Sequence, residues 1–261
     1  MDNQIAIIGG GNLGKSIARG LLNAGVEPSL ISVTRNKTEL LADLAKEGIT
    51  VTNDNLSAVK NSTIIFLTVK PFKAAEVLTE IKQVFDSSKH IIVSGVSGLT
   101  IHQMMEILGG DAKIARMMPN TASVINESAT CYSAPNLNES DKQTVVNVLE
   151  KLGEVILINE SLMNAATVLG ACGIAFALRY IRAMVQAGIE IGFDAKTANE
   201  IAIQTVKGAA EIIIQNHTHP EEEIDKVTTP KGCTIAGLNE MEHQGFSSAL
   251  IKGVKTSFEK I

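Results

Sequence analysis

One stretch near the start of the chain decides the fold, and it reads Gln4-Ile5-Ala6-Ile7-Ile8-Gly9-Gly10-Gly11-Asn12-Leu13-Gly14. Its apolar first part is typical of a strand that is buried on both faces, and a helix-like segment, residues 12–24, follows the glycines directly. Glycines between a strand and a helix let the backbone approach a pyrophosphate at the positive end of the helix. The pattern therefore predicts a dinucleotide-binding turn, although the bare triplet also fits a tight structural turn. Its candidate cofactor-binding residues are Gly9, Gly11, Asn12, Leu13 and Gly14.

The alternation of strand-like and helix-like segments continues over the first 158 residues. Further strands are predicted at residues 30–34, 49–52, 64–69, 90–94, 113–117, 129–133 and 154–158. Further helices are predicted at residues 37–46, 74–85, 101–108 and 140–151. Strands that alternate with helices across short connections pair in parallel through right-handed crossovers. We therefore expect residues 1–158 to form an α/β domain with a Rossmann-type, doubly wound parallel sheet.

From residue 159 to residue 261 the sequence changes to an all-α pattern. Helices are predicted at residues 162–191 and 196–216, and residues 233–260 are also predicted to be helical, with a helix at 233–242. The acidic run Glu221-Glu222-Glu223 is expected at a further helix N-terminus, where negative charge is favoured. The first of these helices is apolar on almost every face, so it must be enclosed. We expect a second subunit to enclose it, which makes residues 159–261 a dimerisation domain, and the alternative is a helix buried within its own domain.

Composition excludes several classes of function. The 261 residues are 45% hydrophobic and carry a formal net charge of −5, so the chain can bury a sizeable core and offers no basic surface to a nucleic acid. No unbroken apolar run approaches the roughly 18 residues of a membrane span, and Met1-Asp2-Asn3-Gln4 lacks the basic start of a signal peptide. Three separated cysteines indicate reduced thiols, and His217 and His219 lack further ligands for a metal. We expect a soluble, cytoplasmic protein without a metal site.

The residues after the second predicted strand indicate which dinucleotide binds. An NAD enzyme usually carries Asp or Glu at this point to accept from the ribose 2′-hydroxyl group, but this chain reads Thr34-Arg35-Asn36-Lys37. Arg35 and Lys37 can pair with a 2′-phosphate, and Asn36 can donate a hydrogen bond. NADP(H) is therefore the predicted cofactor and NAD(H) the alternative, since basic residues here also fit an ordinary solvated helix start.

Four later segments run in an order that resembles the pyrroline-5-carboxylate reductases. They are Val69-Lys70-Pro71, Ser94-Gly95-Val96-Ser97-Gly98, Arg116-Met117-Met118-Pro119-Asn120-Thr121 and Val227-Thr228-Thr229-Pro230-Lys231-Gly232-Cys233-Thr234-Ile235-Ala236-Gly237-Leu238. The last segment resembles the short Ser/Thr–Pro–Gly loop that opens a helix in that family, and the resemblance covers nearly the whole chain. It implies an NADPH-dependent oxidoreductase that acts on a CH–NH bond and reduces 1-pyrroline-5-carboxylate to L-proline, the last step of proline biosynthesis.

The resemblance also implies roles for individual residues. Substrate would be bound by Thr229, Gly232, Cys233 and Thr234, with Thr234 as the catalytic residue that hydrogen-bonds the ring nitrogen. Asn55, Val69, Lys70 and Pro71 would line the cofactor, together with the glycine turn, Arg35 and Asn36. The loop residues themselves also indicate an anion site, because Pro230 and Gly232 ahead of a helix expose unpaired N–H groups. Ordinary N-capping also explains such a loop. The implied assembly is a homodimer, with a larger ring of dimers left open.

The chain departs from the family at two places, and two other functions stay open. Many members have Ser-Gly-Ser-Gly-Pro-Ala-Tyr where this chain has Gly170-Ala171-Cys172-Gly173-Ile174-Ala175-Phe176, and Lys231 replaces a usual glycine. A β-hydroxyacid dehydrogenase shares a similar plan but typically needs a lysine on the first C-terminal helix, and residues 161–195 contain none. A non-catalytic NADP(H)-binding regulator would bind the cofactor without reducing a substrate.

Overall fold

The computed structural model describes residues 4–261, which form two compact units. The first unit ends at Cys172 and the second is Gly173–Lys260. The division lies beyond the predicted domain boundary at residue 158, because Met163 and Ala166 pack against Met118 of the first unit. The expectation that the chain lacks the basic start of a signal peptide rests on residues 1–3, which lie outside the described residues.

An eight-stranded sheet forms the centre of the first unit. Its strands are β1 Ile5–Ile8, β2 Ile31–Thr34, β3 Thr50–Thr52, β4 Ile64–Leu67, β5 Ile91–Ser94, β6 Lys113–Met118, β7 Ser128–Ser133 and β8 Gly153–Leu157. They lie in the order β3-β2-β1-β4-β5-β6-β7-β8. Strand order therefore reverses at β1, and doubly wound sheets bind nucleotides at such a switch point, outside the carboxyl ends of the strands. The predicted Rossmann-type fold class is confirmed.

One strand pairing departs from the predicted parallel sheet, and it reverses the direction of the last two strands. β7 is antiparallel to β6, whereas the other neighbouring strands pair in parallel. The link between β6 and β7 contains only a short 3₁₀ helix, Thr121–Ile125. A parallel connection needs a dozen or more residues, so this link permits only an antiparallel return.

Helices cover both faces of the sheet. They are α1 Asn12–Asn23, α2 Ala42–Lys46, α3 Asn55–Lys60, α4 Pro71–Ile81, α5 Ile101–Leu108, α6 Glu139–Leu149 and α7 Met163–Ala166. Alternate residues of β1 face opposite sides, because Ile5 and Ile7 belong to the core cluster that contains α1 residues, while Ala6 and Ile8 belong to the cluster with α4 and α5 residues. Burial on both faces explains why the central strands β1 and β4 are continuous apolar runs in the sequence.

Two local features differ from the prediction for residues 37–60. The predicted helix 37–46 begins as a 3₁₀ helix, Thr38–Leu41, before it becomes α2. The sequence pattern does not predict α3, although the N-cap is recognisable afterwards. The Asp54 side chain accepts a hydrogen bond from the Ser57 N–H at 2.9 Å, the usual signal of a helix start.

The second unit is helical throughout. Its helices are α8 Gly173–Glu190, α9 Ala195–Asn216, α10 Pro220–Val227, α11 Cys233–His243 and α12 Phe246–Phe258. The acidic run Glu221–Glu223 occupies the first turn of α10, as predicted. Residues 233–260 are helical as predicted, and the helix predicted at 233–242 is α11; Gly245, with a left-handed φ of 82°, separates α11 from α12. His217 and His219 are cap residues at the end of α9 and the start of α10.

A continuous helical stretch, Glu160–Glu190, is long and apolar enough to cross a membrane by length and composition alone. The expectation that no segment reaches this limit is therefore wrong, because a span requires a high average hydropathy, and scattered uncharged polar residues such as Asn164 and Thr167 do not interrupt it. Only 11% of the apolar window is buried within the chain, and Leu169, Leu178 and Ile189 are exposed. An apolar surface of this kind is also typical of a protein–protein contact.

Candidate cofactor and substrate sites

The glycine turn lies at the carboxyl end of β1 and is attached to both neighbouring strands. The Gly10 N–H donates to the Thr34 carbonyl at 2.7 Å on the β2 side, and Thr68 Oγ1 donates to the Gly9 carbonyl at 2.9 Å on the β4 side. Gly9 has a φ of 108°, a conformation that glycine adopts without steric cost. The turn is therefore held at the switch point of the sheet.

Two other glycines of the turn have opposite surroundings. A Cβ atom at Gly14 would lie 2.3 Å from the Gly9 carbonyl oxygen, so α1 packs against the turn only without a side chain there. A Cβ atom at Gly11 would have no atom within 4 Å. Within residues 4–261 no side chain caps the N-terminus of α1. The open space at Gly11 and the first N–H groups of α1, at Asn12 and Leu13, fit a pyrophosphate.

Arg35 lies beside this turn and is bonded to it. Its Nη1 donates to the Gly10 carbonyl at 2.7 Å, and its backbone N–H donates to the Thr52 carbonyl at 3.0 Å. The residue is half-buried, whereas Asn36 and Lys37 are exposed. The structure thus brings Arg35 and the glycine turn together, and the other guanidinium donors make no hydrogen bond to residues 4–261, so they can meet a 2′-phosphate.

Ion pairs attach the segment after Arg35 to α1. Lys15 Nζ lies 3.0 Å from Asp43 Oδ1 and Arg19 Nη2 lies 2.8 Å from Asp43 Oδ2, and Arg19 also pairs with Glu47. Hydrogen bonds from Arg19 and Lys15 lower the pKa of the Asp43 carboxyl group to about 2. These groups are partly exposed, so the pairs add little stability. They do hold α2, and with it the turn at Arg35, next to α1.

The segment after β4 also contacts the glycine turn. A Cβ atom on Gly9 would lie 2.9 Å from Val69 Cγ1. Lys70 is the exposed N-cap of α4, and Pro71 is its first residue. The structure therefore places Val69, Lys70 and Pro71 at the same edge of the sheet as the glycines, and their contact with a cofactor stays a prediction.

Asn55 is positioned differently from the other predicted cofactor residues. It is the first residue of α3, and its Nδ2 donates to Glu80 Oε2 at 2.9 Å. Glu80 lies near the end of α4, far along the helix from Pro71. The Asn55 amide is thus already bonded to a carboxylate of the protein, and its cofactor role stays a prediction.

The predicted substrate loop precedes α11 in the second unit. Gly232 is the N-cap of α11, and a Cβ atom there would lie 2.5 Å from Thr229 Oγ1, so a side chain at this position would displace the Thr229 hydroxyl group. Among the described residues no side chain caps this helix. The N–H groups of Cys233 and Thr234 are therefore open to an anion, and both residues are exposed. The uncapped end fits a carboxylate ligand better than it fits ordinary side-chain capping.

Lys231 gives the loop a strained backbone. Its φ of 62° is left-handed, a conformation that favours glycine. An L-residue other than glycine costs about 1–2 kcal/mol in this region. This backbone angle explains why glycine is usual at the corresponding position of the family that the sequence resembles, where this chain has a lysine.

Comparison with known proteins identifies the family. A family model described as pyrroline-5-carboxylate reductase dimerisation matches residues 160–261, and one described as NADP oxidoreductase, coenzyme F420-dependent, matches residues 4–98. Pyrroline-5-carboxylate reductase 2 of Dictyostelium discoideum is 44% identical over 99% of this chain and 92% of its own length. The chain belongs to the pyrroline-5-carboxylate reductase family.

Two further relatives support this membership. Pyrroline-5-carboxylate reductase 1 of Dictyostelium discoideum is also 44% identical over 99% of this chain, which spans about half, 49%, of that relative's length. The crystal structure of Plasmodium falciparum pyrroline carboxylate reductase with NADP bound has a TM-score of 0.87 and 26% identity, over 99% of this chain and 97% of that chain. The resemblance stated from the sequence is confirmed, and the family is one of NAD(P)H-dependent oxidoreductases.

In this pyrroline-5-carboxylate reductase family member, the altered segment 170–176 coincides with a helix irregularity. Thr167–Cys172 forms a π-helix between α7 and α8, and π-helical turns occur frequently at functional sites. Asn120 Nδ2 donates to the Gly170 carbonyl at 3.5 Å. The backbone at Gly170 is therefore linked to the buried Asn120, which belongs to the Arg116–Thr121 segment of the resemblance.

The reductase-family chain also contains an ion pair that the sequence pattern does not predict. Arg116 of β6 is 4% exposed, and its Nη1 lies 3.2 Å from Glu160 Oε1. The same oxygen accepts from the N–H of Ile101, the first residue of α5, at 2.8 Å. Glu160 follows Arg116 by 44 residues, so no local spacing signal connects them.

Proposed function

We propose that this chain reduces 1-pyrroline-5-carboxylate to L-proline with NADPH, the last step of proline biosynthesis, as a soluble cytoplasmic enzyme. Membership of the pyrroline-5-carboxylate reductase family, with similarity along the whole chain, is the observation that carries the reaction. The uncapped end of α1 and the Arg35 guanidinium support NADP(H) as the cofactor.

The chain's own residues would act mainly by positioning. When bound, NADPH supplies the hydride that reduces the C=N carbon. The N–H groups of Asn12 and Leu13 at the start of α1 would hold the pyrophosphate in the open space at Gly11, and Arg35 would hold the 2′-phosphate. A protonated imine is already electrophilic, so no strong base is required. Positioning of two reactants contributes about 7–11 kcal/mol in favourable systems.

The loop before α11 would hold the substrate. Its free N–H groups at Cys233 and Thr234 would bind the carboxylate, with Thr229 at the same turn. The Thr234 hydroxyl would hydrogen-bond to the ring nitrogen, where it stabilises the developing amine or passes a proton to it through water. This assignment gives Thr234 an effect on rate rather than on folding.

Cofactor preference provides a direct test of the proposal. Spectrophotometric assays with pyrroline-5-carboxylate should show a higher kcat/KM for NADPH than for NADH. The Arg35→Asp variant should lower kcat/KM for NADPH by about 100-fold, because it replaces a charge-assisted partner of the 2′-phosphate with a repulsive charge. The value for NADH should change little.

Lys82→Asp, on an exposed lysine at the end of α4, makes the same charge change away from the turn. It should leave the preference for NADPH intact. Equal use of both cofactors by the wild-type protein would contradict the role of Arg35.

The two alternative functions are separated by the same assay. The chain belongs to the reductase family, and residues 161–195 contain no lysine that could serve a β-hydroxyacid dehydrogenase. Arg179 and Arg182 of α8 are poor bases, because guanidinium stays protonated. A non-catalytic regulator would bind NADPH but show no pyrroline-5-carboxylate-dependent oxidation of it.

We further propose that the chain forms a homodimer through Glu160–Glu190. The match of the dimerisation model to residues 160–261 supports an oligomer, and the largely exposed apolar window of this stretch needs a cover. Leu178 is 60% exposed on it. We propose that a second copy of the chain covers this apolar surface. The mass of the assembly in solution distinguishes a dimer from a ring of dimers.

Leu178→Asp should dissociate the assembly. A symmetric interface would contain the new carboxylate twice, and an unpaired charge that loses water costs several kcal/mol. Sedimentation analysis should therefore show a shift from dimer to monomer of at least about 100-fold in Kd. Ile125→Asp is a matched control, because Ile125 is 64% exposed but lies on the first unit. A dimer unaffected by Leu178→Asp would place the interface elsewhere.

A further inference from the structure

Arg116 is buried more completely than its bonding requires. It is 4% exposed and pairs with Glu160 through Nη1 alone. Its Nε and Nη2 are buried and have no partner among the described residues. A buried guanidinium with unsatisfied donors is unfavourable for stability, because desolvation of the charge is offset only in part. Its presence therefore calls for an explanation other than stability.

The position of Arg116 in the sheet suggests that explanation. It lies opposite Ser94, the last residue of β5. Its partner Glu160 also accepts from the Ile101 N–H at the start of α5. The segment between these two points, residues 95–100, is the loop that joins β5 to α5. The backbone pairing of β5 with β6 thus holds one end of this loop at the carboxyl edge of the sheet, and Glu160, paired with Arg116, holds the other end at Ile101.

This loop borders the glycine turn. A Cβ atom on Gly95 would lie 3.0 Å from Leu13 Cδ2, on the second residue of α1. In a doubly wound sheet the pyrophosphate lies at β1 and the two nucleotide halves lie on either side of it. Arg35 marks the adenosine side at β2. The nicotinamide half therefore belongs on the side of β4 and β5, over the 95–100 loop.

We propose that Arg116 is a positioning residue which, through Glu160, fixes the 95–100 loop as the support for the nicotinamide half of the cofactor. Arg116 does not touch the cofactor in this scheme, because its free nitrogens are buried. The inference rests on the proposed use of NADP(H). It does not rest on turnover of pyrroline-5-carboxylate, because the test measures binding.

The test compares a whole cofactor with a fragment of it. NADPH contains both halves, whereas 2′,5′-ADP contains only the adenosine half with its 2′-phosphate. Arg116→Met should weaken NADPH binding about tenfold, a loss of roughly 1.4 kcal/mol, and should leave 2′,5′-ADP affinity within about twofold. Fluorescence titration of NADPH and calorimetry of 2′,5′-ADP provide the two dissociation constants.

Three variants complete the design. Lys113→Met removes another ion pair of β6, the 3.0 Å contact with Asp141 on α6, and should change neither affinity. Arg116→Lys keeps a charge opposite Glu160 and should bind NADPH more tightly than Arg116→Met. Glu160→Gln removes the charge of the other partner of the ion pair and should also weaken NADPH binding while 2′,5′-ADP affinity is retained. This variant provides the test if Arg116→Met fails to fold.

Two results would overturn the inference. Equal weakening of NADPH and 2′,5′-ADP would show a general loss of structure, and unchanged NADPH affinity would show that the loop needs no such support. Failure of the proposed reaction would instead appear as normal NADPH binding without oxidation when pyrroline-5-carboxylate is added. The two failures are therefore distinguishable.

Discussion

Replacement of Thr234 with alanine should lower kcat for pyrroline-5-carboxylate by about ten- to a thousand-fold, the range associated with loss of a positioned proton-handling group. Thr234 is exposed in the first turn of α11, beside N–H groups that no side chain in residues 4–261 caps. Its hydroxyl is the donor that the proposal assigns to the ring nitrogen. Steady-state assays with NADPH measure the effect.

The neighbouring loop offers a matched control for this variant. Thr228 Oγ1 donates to the Asp225 carbonyl at 3.1 Å, so its hydroxyl is used within the end of α10. Thr228→Ala should therefore change kcat little, and Thr234→Ser, which keeps a hydroxyl, should recover most of the lost activity. Turnover close to wild type in Thr234→Ala would remove Thr234 from the mechanism. An unchanged melting temperature would confirm that the alanine acts on rate.

Gly11→Val should abolish most NADPH binding while the fold is retained. A Cβ atom at Gly11 has no neighbour within 4 Å, and its φ of −78° is accessible to any residue. The added side chain would fill the space proposed for the pyrophosphate. Loss of two charge-assisted hydrogen bonds, about 1.5–3 kcal/mol each, corresponds to about 100-fold weaker binding or more. Fluorescence titration with NADPH measures it.

Gly110→Val tests whether such a substitution is harmful in itself. Gly110 also has no atom within 4 Å of its Cβ position, but it lies in the turn between α5 and β6. It should retain NADPH affinity and melting temperature. Normal cofactor binding by Gly11→Val would show that the pyrophosphate does not use the glycine turn.

Sequence patterns predict the parts of this fold that depend on local order. The central strands β1 and β4 are unbroken apolar runs, and α5 lies where the pattern predicts it, at residues 101–108. The direction of a strand is harder to predict, because the antiparallel pairing of β7 with β6 depends on the length of the link between them rather than on the residues of β7.

The candidate site divides in the same way. Gly9, Gly11, Gly14 and Arg35 are found from the sequence because the turn, the helix start and the end of β2 are close along the chain. The Arg116–Glu160 pair is missed because it joins a strand to a helix start that lies far away in sequence. The hydrogen bond from the Asn55 amide to Glu80 is likewise not evident from the sequence, because the two residues are 25 positions apart, and the cofactor role of Asn55 stays a prediction.

The left-handed backbone at Lys231 restricts which residues can replace the lysine. Glycine and asparagine adopt this conformation most readily, whereas valine, isoleucine and threonine are excluded by their branched Cβ atoms. Variation at position 231 among close relatives should therefore follow backbone shape and not the charge or polarity of the side chain. A loop that binds an anion through its N–H groups would thus preserve a torsion angle in place of a side chain.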